Sequence, residues 1–322
     1  MPFIVACQQG RSGCTVSPMK TKWILASVVM IATMVGFWLL RPFGNGAGLL
    51  GSSAHSLTEM ILIIGPRPPG SEGLVKAREL ITKELEAAGW SVLSQEFERD
   101  TPNGKVKFKN LRARFVKEGD PWKGTCKGLL CAHLDSKTFN DRTFLGADDA
   151  ASACAAIVVI GKQLAEKKPE LAKRIELVFF DGEEGFAEDM TILDGLYGSR
   201  QYANLWRSSD SKPQFGILLD MIGHKDLSIR IPSDSPEDLA KRMFSAAKEE
   251  GVAGQFGTAP ETILDDHLPL NLVGIPTLDI IGDFPSKAWW HNTGDNATIV
   301  SADSLGISIG VVLRMLDGLL EK

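Results

Sequence analysis

Four short runs constrain the fold more than anything else in this 322-residue chain. They are GLLCAHLD (128–135), RIELVFFD (174–181), FGILLDMIG (215–223) and IPTLDIIG (275–282). Each is apolar almost without interruption for five or six residues, too short for a stable helix and rich in strand formers. A strand apolar on both faces must be covered on both, which is the pattern of a parallel sheet between helices. The stretches between them read as helices. Ser71 caps a helix over 72–88 with Leu80, Ile81, Leu85 and Ala88 on one stripe; AASACAAIVVIGKQLA is a small-residue helix, and a last helix covers 302–320. SVLSQEFER and VKFKNLRARFV alternate as a half-exposed hairpin. The expected class is α/β, a three-layer sandwich around a central mixed, largely parallel sheet.

In such sheets the working crevice lies beyond the carboxyl ends of the strands. Those ends carry an unusual set of polar residues. The first run ends in His133 and Asp135, the second in Asp181, Glu183 and Glu184, and the third carries Asp220. The loop before the small-residue helix adds Asp148 and Asp149, and AWWHNTGDN adds His291 beside Trp289 and Trp290. Taken singly, a His-x-Asp pair can simply finish a strand, and an acidic doublet is commonly a solvated face. Converging from separate strand ends, they form the imidazole and carboxylate set that zinc takes in a tetrahedral shell with one open position. A metal also explains two adjacent glutamates at a buried strand end: one ligates while its neighbour stays free to carry protons.

Composition is that of a globular protein, 44% hydrophobic and 23% charged, and a net charge of −5 gives no nucleic-acid surface. The N-terminus differs. Trp23 to Leu40 is an unbroken apolar run preceded by Lys20 and Lys22 and followed by Arg41. It reads as a membrane anchor with the positive side cytoplasmic and the remainder exported; a cleaved signal peptide is the rival reading. The expected layout is a cytoplasmic tail over 1–22, an anchor over 23–40, a Gly/Ser-rich linker over 41–55 and a folded domain over 56–322. Cys7 and Cys14 then lie on the reducing side, and Cys126, Cys131 and Cys154 where a disulfide is chemically allowed.

The ordered set HLDSK, GADDAASACAA, FFDGEEGF, LYGSR, LLDMIG, DDHLPL and WWHNTGDN resembles the animal-type zinc glutaminyl cyclases, with GPRPPGSEG (65–73) similar to the opening of their domain. More distantly it is similar to the zinc aminopeptidases that share the fold. The resemblance implies an eight-stranded mixed sheet flanked by helices. It implies zinc held by Asp149, Glu184 and His291, with Glu183 as general acid/base. Asp265 would join Glu183 and Asp220 in a proton-sharing network, and Trp290 would wall the substrate pocket. In the aminopeptidases the positions of His133 and Asp220 complete a second zinc site bridged by Asp149, so the resemblance implies one zinc for a cyclase and two for a peptidase. The implied reaction is conversion of N-terminal glutamine of peptides or proteins to pyroglutamate with release of ammonia. Removal of N-terminal residues is the alternative, and an inactive membrane-anchored binding protein a lesser one. The chain departs from the cyclase pattern in three places. FAEDMTILDG lacks the tryptophan of the animal enzymes, Asp279 stands where a histidine is expected, and Ala132 replaces a cysteine that pairs with the Cys154 position.

Overall fold

The computed structural model describes residues 45–285 and 287–321. The expected anchor over 23–40 lies outside these. Helix α1 (Asn45–Ile64) and helix α2 (Glu72–Glu86) lead into the hairpin β1 (Trp90–Thr101) and β2 (Gly104–Phe115). Then come β3 (Gly128–His133), a wide turn over Ala147–Ser152, α3 (Ala153–Lys167), the single turn α4 (Pro169–Ala172) and β4 (Ile175–Phe180). The second half runs α5 (Tyr197–Ala203), β5 (Phe215–Asp220), β6 (Ile229–Ile231), α6 (Glu237–Glu249), β7 (Phe256–Thr258), α7 (His267–Leu272), β8 (Thr277–Ile281) and α8 (Ala302–Leu320).

The main sheet has six strands in the order β1-β2-β4-β3-β5-β8. The first three pair antiparallel, and β4-β3, β3-β5 and β5-β8 pair parallel. Every residue of β3, β4, β5 and β8 is buried, as continuous apolar runs require. Successive side chains on a strand face opposite ways, so the runs build two cores. Leu130, Ala132, Leu177 and Ile217 pack under α3 and α8. Leu129, Cys131, Val178 and Leu218 pack under Tyr202 and Leu270 of α5 and α7. These are the three layers.

Two expectations are corrected, and one open point is answered. The implied eight-stranded sheet is six strands plus a separate parallel pair, β6 and β7, whose three-residue strands touch the end of β8 through one bridge, Ile229 to Gly282. The linker over 41–55 fails from Asn45 onward, where α1 begins, and Gly46 to Lys322 form one compact unit. Gly51 serves packing: a Cβ there would lie 2.1 Å from the Ala302 carbonyl oxygen, and Ala54, Leu57 and Ile61 enter the main core. A window of α1, Ala47–Ile64, is long and apolar enough to cross a membrane by length and composition, yet its inner face is core. Finally, Cys126, Cys131 and Cys154 are free and buried. Cys131 and Cys154 sit in different cores, so strand alternation keeps them on opposite sides of the sheet.

Candidate metal centre and active site

Strand β3 is central, and the chain leaves it first for β4 on one side and later for β5 on the other. A crevice opens at the carboxyl ends where the path reverses. His133 ends β3, Glu183 and Glu184 follow β4, and Asp220 ends β5. The wide turn after β3 adds Asp149, and the loop after β8 returns His291.

All these side chains meet. His291 Nε2 lies 3.6 Å from Asp149 Oδ2 and 3.4 Å from Glu184 Oε1. His133 Nε2 lies 3.1 Å from Asp149 Oδ1 and 3.4 Å from Asp220 Oδ1. Tetrahedral ligands on bonds of 2.0–2.1 Å stand about 3.3 Å apart, so each triad matches the spacing of a zinc shell. Asp149 belongs to both, turning one oxygen to each histidine. Glu184 Oε1 and Asp220 Oδ1 are buried without a hydrogen-bond partner. Buried polar atoms left open in this way mark where an ion fits.

The backbone around the ligands is held by other buried groups. The Asp135 carboxylate accepts N–H bonds from Gly182, Glu183 and Glu184 at 2.9, 3.1 and 3.2 Å, fixing the turn that presents the two glutamates. Asp295 accepts from the N–H groups of Asp148 and Asp149. Asp148 itself turns away and accepts from Ser152 and Gly223, so only the second aspartate of GADDA enters the site. Lys137, almost fully buried, lies 3.5 Å from Glu184 Oε2. The His291 ring stacks on Trp290 at 4.1 Å between centroids, with Phe139 and Phe144 edge-on.

The neighbouring glutamates are driven apart in acidity. Burial and then the charges of Glu184, Asp265 and Asp266 hold Glu183 well above the carboxylate range, against the pull of His133. Burial also raises Glu184, but His291 and Lys137 outweigh it and leave its pKa below the usual value. Two adjacent acids with opposite shifts are suited to different tasks. Asp220 is raised well above its usual value by burial, with Asp149 and Asp265 adding to the shift. Asp265 is raised by burial too, and one of its carboxylate oxygens lies within 4.8 Å of one from Asp279. Asp279 therefore stands behind Asp265, outside the cavity lining.

The cavity has a volume of about 910 Å³ and is lined by Asp149, Glu183, Glu184, Asp220, Asp265 and His291, with Phe139, Phe284 and Trp290 among its apolar walls. Of the site residues expected from sequence, Asp149, Glu183, Glu184, Asp220, Asp265, Trp290 and His291 line this space, and His133 lies behind Asp149 and Asp220; Asp148 and Asp181 are engaged elsewhere. Sequence reasoning missed the functions of Asp135, Lys137 and Asp295, which act on backbone or on another side chain and have no spacing of their own. It also missed His267, buried with both ring nitrogens unpartnered and Nδ1 3.5 Å from Asp279. The one available signal was its place in DDHLPL.

Residues 121–316 match the model of peptidase family M28. The chain belongs to that family. Among its relatives is a glutaminyl-peptide cyclotransferase of Drosophila melanogaster, 28% identical over 81% of this chain and 80% of the relative. The solved glutaminyl cyclase of an Acidobacteriales bacterium superposes with a TM-score of 0.74 at 30% identity, over 84% of this chain and 94% of that one. A leucine aminopeptidase precursor from Bacteroides thetaiotaomicron superposes with a TM-score of 0.73 at 26% identity, over 83% and 96%. The fold is thus common to both activities, and the side chains must discriminate.

Proposed function

We propose that this chain is a zinc-dependent glutaminyl-peptide cyclotransferase. The observation that carries the reading is the Asp149–Glu184–His291 triad lining an aromatic-walled cavity, with Glu183 outside the triad beside it. Curated relatives named as cyclotransferases across animals and Dictyostelium discoideum support it.

Asp149, Glu184 and His291 would hold the ion, which supplies Lewis acidity toward the substrate's side-chain carbonyl. The chain's own residues do the rest. The walls of Phe139, Phe284 and Trp290 receive the N-terminal glutamine and exclude water, which favours attack by the substrate's α-amine over hydrolysis. The Cδ–Nε2 amide bond of the glutamine side chain breaks as the α-amine closes a five-membered lactam on Cδ, and Nε2 leaves as ammonia. Glu183 takes the proton of the attacking amine and returns it to the leaving nitrogen, a task suited to its raised pKa. Asp220 and Asp265, buried and raised, keep a proton close to Glu183.

One observation favours the peptidase alternative. The second triad, His133, Asp149 and Asp220, is complete in position and burial. One zinc fits the cyclase and two the aminopeptidase. The deciding assay offers the purified domain peptides with N-terminal Gln and N-terminal Leu, following ammonia and free amino acid separately. Ammonia from the first with no leucine from the second is expected. Leucine release with close to two zinc ions per chain would show a peptidase. Glu183→Gln lowers either activity by about 10²–10⁴-fold and serves as the shared control.

The apolar run over 23–40, with its flanking positive charges, supports a membrane-anchored enzyme whose domain works outside the cytoplasm on exported peptide N-termini.

A further inference from the structure

Arg67, in the GPRPPGSEG stretch, is fully buried, yet it forms no ion pair among the described residues. Its guanidinium donates to carbonyl oxygens instead. Nε reaches Leu134 at 3.2 Å, Nη1 reaches Leu145 at 2.8 Å and Gly65 at 3.4 Å, and Nη2 reaches Gly146 at 2.9 Å. Leu134 follows His133, and Leu145 and Gly146 begin the turn that carries Asp149. One planar group therefore joins the exit of β3 to the metal-binding turn.

The connection extends further. The Gly146 carbonyl also accepts the Ala151 N–H at 3.2 Å, closing the turn around Asp149. Gly146 has φ 56°, and a Cβ there would lie 2.1 Å from the Asp149 carbonyl oxygen, so the turn is tightly wound. On its other side the Asp295 carboxylate takes the N–H groups of Asp148 and Asp149. The turn is thus held through the Leu145 and Gly146 carbonyls by the buried Arg67 guanidinium and through the Asp148 and Asp149 amides by the buried Asp295 carboxyl group. The main chain of Arg67 is fixed in turn by Ser136, whose N–H donates to the Arg67 carbonyl and whose hydroxyl accepts the Arg67 N–H.

We propose that Arg67 is a positioning residue for the metal centre, setting the Asp149 turn and the His133 strand end in ligand geometry before any metal arrives. A guanidinium suits this task because its donors lie in one rigid plane and can serve four carbonyls at once. A lysine keeps the charge but has neither the plane nor the reach. The proposal rests on zinc binding at Asp149, as argued above, and not on which reaction the zinc serves.

The test compares wild type with Arg67→Lys, measuring zinc affinity of the folded protein by competition with a chromophoric chelator. Removing a group that orients a ligand weakens metal affinity by about 10–100-fold, and that loss is expected here. A folded Arg67→Lys protein with wild-type zinc affinity, even one with a lowered Tm, would overturn the proposal. A second measurement needs no variant. In metal-free wild-type protein, the amides of Asp148, Asp149 and Ala151 are expected to exchange slowly with solvent hydrogen and to change little when zinc is added. Fast exchange that becomes slow only with zinc would show that the metal, not Arg67, orders the turn. Wild-type protein that binds no zinc at all would instead remove the metal centre on which the proposal stands.

Discussion

His291 shows how a single side chain couples the site to pH. Burial by itself lowers its pKa, but the Glu184 carboxylate more than compensates and holds the imidazole above its usual 6.5. Zinc needs the neutral ring, so protons compete with the metal from a higher pH than they would at a free histidine. The sign for the metal-free protein is opposite. A histidine whose folded pKa is raised stabilises the fold below its unfolded pKa, and this contribution fades as pH rises through the folded value. Both effects shrink the stabilisation that zinc confers as the solution is acidified. The increase in Tm on adding zinc is expected to be largest at pH 8 and smallest at pH 6. An increase that is flat or grows toward pH 6 would contradict the assignment of His291 as a ligand.

At the scale of elements, close packing explains what composition misread. A Gly/Ser-rich stretch ordinarily reads as a flexible linker. In α1 the same residues let two helices approach: a Cβ on Gly51 would also sit 2.7 Å from the Gly306 amide nitrogen, and one on Gly306 would sit 2.7 Å from the Ala47 carbonyl oxygen. Gly51→Leu is therefore expected to lower stability by about 1–3 kcal/mol, the usual effect of overpacking. Chemical denaturation of the domain measures this directly. A Gly51→Leu protein with unchanged midpoint would mean that α1 is dispensable to the core. The cysteines follow the same logic, since a strand places Cys131 and its neighbour Ala132 on opposite faces whatever their sequence proximity to Cys154.

At the scale of the whole molecule, the proposed anchor would decide on which side of a membrane the domain works. The run over 23–40 with Lys20, Lys22 and Arg41 at its ends supports an exported C-terminus. A reporter that is active only after export, fused after Lys322, should give signal in the organism's cells. A reporter active only in the cytoplasm should stay silent, and a signal from it would reverse the topology.

Much of the site could be read without coordinates, because zinc chemistry restricts residue types and parallel sheets restrict where they can sit. Continuous apolar runs dictated buried strands, and polar residues at their carboxyl ends, His133, Glu183, Glu184 and Asp220, marked the crevice as a set, while the choice of Asp149, Glu184 and His291 as ligands came from the resemblance to the glutaminyl cyclases. Sequence also carried the Ser71 cap and the last helix to its exact bounds, 302–320, because caps and helical stripes are local. What needed tertiary structure was every interaction that crosses the chain at long separation. The grip of Arg67 on Leu145 and Gly146 spans 78 and 79 residues, and that of Asp295 on Asp148 and Asp149 spans 147 and 146. Such contacts are made to backbone groups, which every residue possesses, and so leave no pattern in side-chain order. Only the folded arrangement of the sheet decides which carbonyl or amide a buried charge will meet.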